Sequence, residues 1–323
     1  DLELARLMID LDPPEHTRLK SLVNRGFTPK AMRMLEEHFR EVAIQLIDEA
    51  LQEQTLDFVD KVSAELPLIA IAELVGIPVE DRRKVFDWSN TMIGTTDPDF
   101  AGAPEDAQIA AAELYMYSNE IAAQRKLEPK DDIITTLISE HDGDVLTEHE
   151  FDLFMLLLAV AGNETTRNGI SHGVLAMIEN PDQWNLLKND PSLVTTAVEE
   201  ILRWGTPVNN FRRTAVCDVE LHGVQIKEGE AVAMLYPSAN RDDSVFKDPF
   251  KFDITRNPNP HVTFGGGGPH FCLGANLARL EMRILFEEMS KRIDRIELTG
   301  EVRKLRSSFI HGIKTLPVHL QAR

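Results

Sequence analysis

The residues best suited to chemistry lie in Phe264–Gly274, FGGGGPHFCLG, where Cys272 stands between a glycine-rich stretch and the helical pattern ANLARLEMRILFEEMSKRI. A thiolate at that point gains from the free N–H groups and dipole of a helix start. The glycines remove side chains that would obstruct something broad and flat. The arrangement suits an iron in a large planar cofactor better than a small catalytic pocket. A buried, inert thiol is the competing reading of an isolated cysteine, and the flanking glycine and helix argue against it. Zinc is a poor rival, because no cysteine–histidine cluster has structural-site spacing. Cys217 falls in a predicted strand beside Asp218 and takes no role.

A second motif, Ala161-Gly162-Asn163-Glu164-Thr165-Thr166, is predicted to interrupt a long apolar helix. Glycine and β-branched threonines are poor choices for a buried helix interior. Gly162 permits close approach of a flat ligand. Thr165 can bond its hydroxyl back to a carbonyl one turn earlier or open a local bulge. Glu164 places an acid in an apolar stretch, where burial requires a purpose or a partner. Such an acid–alcohol pair could relay protons to a bound oxygen species; a helix-packing glycine with satisfied threonines is the plainer alternative. Glu200 and Arg203 share a helical face three residues apart, and Arg256 could complete a carboxylate–guanidinium network. If buried, that network would hold the fold.

The elements that must position these residues are mostly helical. Asp12-Pro13-Pro14-Glu15 reads as a capping box opening a helix to about Gly26, and Thr28-Pro29 opens another to about Glu53. Helical periodicity recurs near 62–75, 79–93, 105–127 and 131–141. Thr147 and Glu150 form a further capping box, from which the apolar pattern runs to Ile178 before Asn180-Pro181 stops it. A helix that long and apolar is expected to cross the middle of the molecule. Another spans about 192–204, with Gly205 placed to end it. Strands are predicted at 215–221, 224–226, 231–235, 303–309 and 315–320. This is a mainly α fold with a small β region, without βαβ alternation.

Composition narrows the class. A chain of 323 residues, 43% hydrophobic, can bury a sizeable core. Two cysteines make a disulfide framework an unattractive reading and suit a reducing compartment. No apolar run has membrane-spanning length, and no secretory leader is visible ahead of Asp1, so a soluble cytoplasmic protein is expected. A net charge of -19 disfavours non-specific binding to nucleic acid or anionic membranes. Basic clusters at Arg18, Lys20, Arg25, Lys30, Arg33 and at Arg279, Arg283, Lys291, Arg292 are either ordinary solvated surface or a patch for an acidic partner protein.

Together these pieces resemble the cytochrome P450 family, across essentially the whole chain. The Cys272 loop is similar to its haem-thiolate loop, AGNETT to its oxygen-activating central helix, and Glu200, Arg203 and Arg256 to its Glu-x-x-Arg network. The resemblance implies one P450 domain over 1–323, N-terminally incomplete, that binds haem b (iron protoporphyrin IX) with Cys272 as axial ligand. It implies proton delivery by Glu164 and Thr165, close approach at Gly162 and Gly274, and Phe264 packed near the sulfur. Haem carboxylates would be held by His16, Lys20, Arg213 and His270. Two features depart from the family pattern. Lys20 replaces the usual arginine and gives a point charge instead of a planar fork, and Phe264 precedes Cys272 by one residue more than is common.

Within the family, the chain is similar to bacterial members that hydroxylate terminal methyls of sterol side chains or methyl-branched lipids. The residues carrying this are Met92–Pro98, VAGNETTRNGISHG at 160–173, TPVNNFRRTA at 206–215, NPNPH at 257–261 and HGIK at 311–314. The resemblance implies a pocket lined by Val160, Val208, Phe211, Phe309 and Ile310. It implies ω-hydroxylation of a cholesterol-derived ketone with O2 and two electrons from a ferredoxin-type donor and its reductase. A polyketide, terpene or methyl-branched fatty acid is the alternative substrate. An electron carrier or gas sensor could use Cys272 but has little need of Glu164-Thr165, and a helical scaffold needs no cofactor.

Overall fold

A single helix of 32 residues, Glu148–Glu179, organises the molecule. At 1.5 Å per residue it is roughly 48 Å long, and its middle and C-terminal half are almost entirely buried. Thr147 accepts from the Glu150 N–H while Glu150 reaches back to the Thr147 N–H, so the expected capping box forms. The helix is continuous through 161–166, which corrects the expected interruption. The Thr165 hydroxyl bonds back to the Ala161 carbonyl at 2.8 Å, so it is satisfied without opening the ladder.

The structure, a computed structural model, describes residues 6–27, 29–94, 97–100 and 104–323. Asp1, Thr28, Thr95 and Thr96, and the side chains of Lys30 and Arg33, lie outside the described residues. In chain order the helices are Glu15–Val23 (α1), Pro29–Ala50 (α2), Glu65–Val75 (α3), Arg82–Ile93 (α4), Pro104–Leu127 (α5), Ile133–Ile138 (α6), Glu148–Glu179 (α7), Pro181–Asn189 (α8), Val194–Gly205 (α9), the short Tyr236–Ala239 (α10) and Ala275–Arg292 (α11). The strands are Leu56–Asp57 (β1), Asn210–Thr214 (β2), Val219–Leu221 (β3), Val224–Ile226 (β4), Ala231–Leu235 (β5), Ile293–Leu298 (β6), Arg303–Lys304 (β7), Ile313–Thr315 (β8) and Pro317–Ala322 (β9). All pairings among them are antiparallel: β1–β9–β6, β2–β5, β3–β4 and β7–β8. The expected mainly α fold with a small β region is what forms.

The core runs along α7, which packs on α3, α4, α5 and α9, while α11 packs on α2. Phe39, Phe58 and Phe286 are fully enclosed. Gly173 belongs to this packing: a Cβ there would lie 2.6 Å from Phe286 and 2.7 Å from Ile201.

Several boundaries differ from expectation for identifiable reasons. The capping box at Asp12–Glu15 does not form: Pro14 is the N-cap of α1 and no side chain caps it. The Asp12 and Pro14 carbonyls instead accept from His16 and Arg18. Helix α1 ends at Val23 and gives way to a 3-10 turn, Asn24–Phe27. Asn180-Pro181 ends α7 as expected and also starts α8, because proline at the first helical position favours a helix start. Thr206, at φ 39°, takes the left-handed conformation expected of Gly205. Gly205 is the last residue of α9, where a Cβ would lie only 2.8 Å from the Cβ of His172, so the position needs glycine for space. The strand expected at 215–221 is split: β2 precedes it, β3 covers only its end, and Cys217 is exposed between them. The strand expected at 303–309 shrinks to β7, and β6, directly after α11, was missed.

Candidate active site

One large apolar cleft encloses about 1450 Å³ free of protein atoms, part of it open to solvent. The Cys272 loop forms part of its wall, from Phe264 and Gly265 through His270 to Gly274, Leu277 and Ala278. Helix α7 forms another, with Phe154, Leu158, Ala161, Gly162, Thr165 and Thr166. The loop is closed by a hydrogen bond from the Cys272 N–H to the Phe264 carbonyl at 2.9 Å. Gly265, Gly267 and Gly268 have φ of 93°, 99° and 77°. Side chains at those left-handed positions would be strained. A Cβ on Gly274 would meet nothing within 4 Å.

The Cys272 thiol opens onto the cleft although protein atoms surround its sulfur. Burial pushes its pKa up; the N–H groups of Gly274 and Ala275 and the charges of Lys20 and Arg279 pull the other way. In the absence of a bound cation the thiol form is therefore favoured, and a metal ion would invert that preference.

His16, Lys20, Arg213 and His270 all line the same cleft. None of the four has an ion-pair partner among the described residues. Lys20 donates to the carbonyls of Pro269 and of Phe271, the latter at 2.9 Å, and Arg213 donates to the carbonyl of Arg212. The rings of His16 and His270 lie 4.2 Å apart, and the buried Nδ1 of His16 has no partner. Burial lowers both histidine pKa values, reinforced by their basic neighbours, while Asp12 opposes the shift. A set of basic groups that disfavour one another's charge, with an orphaned ring nitrogen, suits an anionic ligand.

Glu164 is 1% exposed and turns to Arg167, three residues on, rather than to the cleft. Arg167 also donates to Asn90 of α4 at 3.1 Å. Burial raises the Glu164 pKa and Arg167 opposes this; its Oε1 has no partner. The structure therefore brings Thr165, Gly162, Cys272, Phe264, Gly274 and the four basic residues to one cavity, and leaves the Glu164 carboxylate behind it. A Cβ on Gly162 would lie 2.9 Å from Ile71 Cδ1, so the close approach there is by Ile71.

Of the residues expected to line the pocket, Val208 and Phe211 do. Val160, Phe309 and Ile310 do not, which corrects that expectation. Phe309 packs edge-on against Phe211 at 5.4 Å, and Ile310 is paired in backbone with Val208, so both adjoin wall residues without lining the cleft themselves. Phe154, Leu158 and Tyr236 were missed. The first two fall on the helical face of Thr165, so the helical spacing alone could have found them.

Glu200, Arg203 and Arg256 form the expected buried network. Arg203 donates to both oxygens of Glu200 at 2.8 Å, and Arg256 donates at 3.1 Å. Asp253 N–H and Asn259 complete the carboxylate, and Arg203 extends to the carbonyls of Asn240, Pro249 and Lys251. The network thus clamps the 240–259 meander onto α9. A neighbouring device was not foreseen: Glu199 accepts from Arg279 of α11 at 2.6 Å and contacts His261 at 2.9 Å, while Arg279 stacks 4.5 Å over Phe264. Burial acts against ionisation of Glu199, yet these two partners hold its pKa at about 2. The basic clusters are also largely spent internally. Arg18 pairs with Asp144 and Glu150, Arg25 with Asp142, Arg283 with Glu36, and Lys291 and Arg292 with Glu288.

The family's sequence model, Cytochrome P450, matches residues 37–293. The chain is 51% identical over 320 residues to a steroid C26-monooxygenase of Rhodococcus jostii, covering 98% of this chain and 67% of that protein. It is 45% identical over 316 residues to a methyl-branched lipid omega-hydroxylase of Mycobacterium tuberculosis, covering 96% and 74%. Among solved structures, a Mycobacterium marinum cytochrome P450 in complex with pseudoionone superposes with a TM-score of 0.93 at 39% identity, covering 98% of this chain and 78% of that one. A Bacillus megaterium structure in complex with testosterone gives 0.90 at 35%, covering 98% and 87%. The chain belongs to the cytochrome P450 family. It is a monooxygenase of that family, which uses a haem iron, O2 and redox partners. No helix among the described residues is long and apolar enough to cross a membrane.

Proposed function

We propose that this P450 hydroxylates a terminal methyl of a sterol side chain, of the cholesterol or cholest-4-en-3-one type, with O2 and two electrons from a ferredoxin-type donor and its reductase. One oxygen atom enters the C–H bond, and the other leaves as water with two protons. The observation that carries the reading is a single apolar cleft bounded by the Cys272 loop, by Thr165 on α7 and by four basic side chains. The substrate class is supported by relatives named steroid C26-monooxygenase at 47–51% identity. A methyl-branched lipid is the second reading, supported by the 45% identical omega-hydroxylase.

The residues present fit haem b. Held through the Cys272 sulfur, that group supplies O2 activation, favoured by thiolate donation. His16, Lys20, Arg213 and His270 would hold its two carboxylates, and the left-handed glycines keep the loop backbone free of side chains. The Thr165 hydroxyl donates to the Ala161 carbonyl, which leaves its oxygen lone pairs free to accept a hydrogen bond on the cavity side. Glu164 can supply a proton only by releasing Arg167; its raised pKa favours the protonated form needed for that step. The apolar walls exclude water and leave shape to hold the reacting carbon. Two unpaired cysteines support a reducing, cytoplasmic setting.

Two measurements test this reading. Reduced protein with CO should show the red-shifted Soret band of thiolate-ligated haem, and turnover of cholest-4-en-3-one should yield a terminally hydroxylated product. Protein that cannot take up haem would refute the site. Oxidation of a methyl-branched fatty acid alone would move the assignment to the second reading.

A further inference from the structure

Helix α7 carries a row of polar side chains beyond the cleft. Thr165, Asn168 and His172 share one helical face. Thr165 lines the cleft, whereas Asn168 and His172 are buried away from it. Asn168 donates from Nδ2 to the Glu164 carbonyl at 2.8 Å, and its Oδ1 accepts from the Ile313 N–H at 2.9 Å. His172 Nε2 lies 2.9 Å from the His311 carbonyl, and His311 Nδ1 lies 2.7 Å from the Gly205 carbonyl. Both acceptors are carbonyls, so each of these ring nitrogens carries its proton. The two rings lie tilted at 34° to each other with centroids 4.1 Å apart.

The strap that α7 grips in this way is itself sewn to the cleft wall. His311 N–H donates to the Pro207 carbonyl at 2.8 Å, and Asn209 N–H donates to the Phe309 carbonyl at 2.8 Å. Val208 and Ile310 pair as an isolated bridge. Pro207, Val208 and Phe211 line the cleft. Hydrogen bonds therefore tie the helix that carries Thr165 to the 309–313 strap, and tie that strap to the wall at 207–211. Burial lowers the His172 pKa to about 3, with the His311 ring, Lys304 and Arg241 adding to the effect and the hydrogen bond to the His311 carbonyl opposing it, so the ring is neutral under ordinary conditions.

We propose that Asn168, His172 and His311 are positioning residues that hold the 207–211 wall in register with Thr165, and so set which carbon of a bound chain is presented for oxidation. An apolar substrate offers few polar handles. Selection between neighbouring carbons then depends on the wall, and a small displacement of it exchanges one near-attack geometry for another. The proposal rests on the lipid-oxidation reading above and deepens it.

The test uses haem-loaded enzyme carrying His172→Phe, Asn168→Ala or His172→Gln. The glutamine can still donate to the His311 carbonyl. In His172→Phe and Asn168→Ala, amide exchange at Asn209, His311 and Ile313 should accelerate. The ratio of terminal to subterminal hydroxylation of cholest-4-en-3-one should fall roughly five-fold, the worth of one net hydrogen bond, with an unchanged CO difference spectrum. His172→Gln should restore the ratio. A role in stability alone would lower the yield of folded enzyme and leave the ratio where it was, and that result would overturn the proposal. If the wild type oxidises only a methyl-branched fatty acid, the ratio is read on that substrate. If it oxidises neither, the functional reading falls by itself, and unchanged exchange in His172→Phe and Asn168→Ala would still overturn the positioning role of these residues.

Discussion

The buried His172–His311 contact makes a quantitative demand on stability against pH. Histidine in an unfolded chain titrates near 6.5, and His172 in the folded protein is depressed to about 3. The folded state therefore binds fewer protons than the unfolded state between those values. The contribution of this ring is fully present above the unfolded pKa and is lost progressively as pH falls towards the folded one. The slope approaches about 1.4 kcal/mol per pH unit for one such group. At pH 5, about 1.5 units below the unfolded value, the loss is about 2 kcal/mol. His172→Gln keeps a donor for the His311 carbonyl but cannot titrate. Urea denaturation of wild type and variant, followed by far-UV circular dichroism at several pH values from about 7.5 down to about 5, isolates the term as a difference of differences. The variant should gain about 2 kcal/mol on the wild type across that range. Parallel pH profiles would falsify the claim that His172 is held neutral by burial.

Three further outcomes follow from other parts of the structure. Glu200→Gln leaves Arg203 and Arg256 charged around a neutral amide in a fully buried site, so it should cost about 3–5 kcal/mol and appear as a large drop in soluble yield and thermal midpoint. Thr165→Ala removes a hydroxyl that, among the described residues, bonds only to its own helix, at the Ala161 carbonyl. Stability should move by less than about 1 kcal/mol, while product formed per O2 consumed falls, measured with an oxygen electrode and product quantification; unchanged coupling would exclude the hydroxyl from proton handling. Asp97, held at about 2 by the Arg306 and Asp99 N–H groups and by Lys314 against the cost of burial, has a folded pKa below its unfolded value. Its stabilisation is present above about pH 4 and is lost towards about pH 2, so Asp97→Asn should flatten acid denaturation in that window, read by circular dichroism.

How much of this was legible in the sequence depends on the range over which each signal acts. The Thr147 capping box, the length of α7 and the start of α5 were legible because each rests on residues within one helical turn of each other. The Asp12 box failed on the same kind of evidence, because two prolines separate the aspartate from helical backbone. The split of the strand at 215–221 was not legible. Alternation marks residues that could be extended, but pairing partners decide which of them are, and β2 finds β5 while Cys217 finds nothing. Gly205 and Thr206 show the same limit at a helix end. A glycine next to a helix terminus reads as the left-handed residue, yet the side chain of His172, more than thirty positions away, requires the glycine inside the helix.

The site divides along the same line. Cys272, the glycines and Thr165 could be placed because their positions are set by a loop and a helix that the local sequence specifies. The direction of the Glu164 side chain could not, since its partner Arg167 also answers to Asn90 on α4. Nor could the split among the expected pocket residues be foreseen. Val208 and Ile310 are partners in one antiparallel bridge, yet only Val208 lines the cleft while Ile310 is buried away from it, a difference set by tertiary packing and not by local alternation. The wall's position is therefore a property of the 309–313 strap and of what grips it. That is why the residues most able to tune the choice of carbon are buried polar groups outside the cleft, which no inspection of pocket-lining side chains would select.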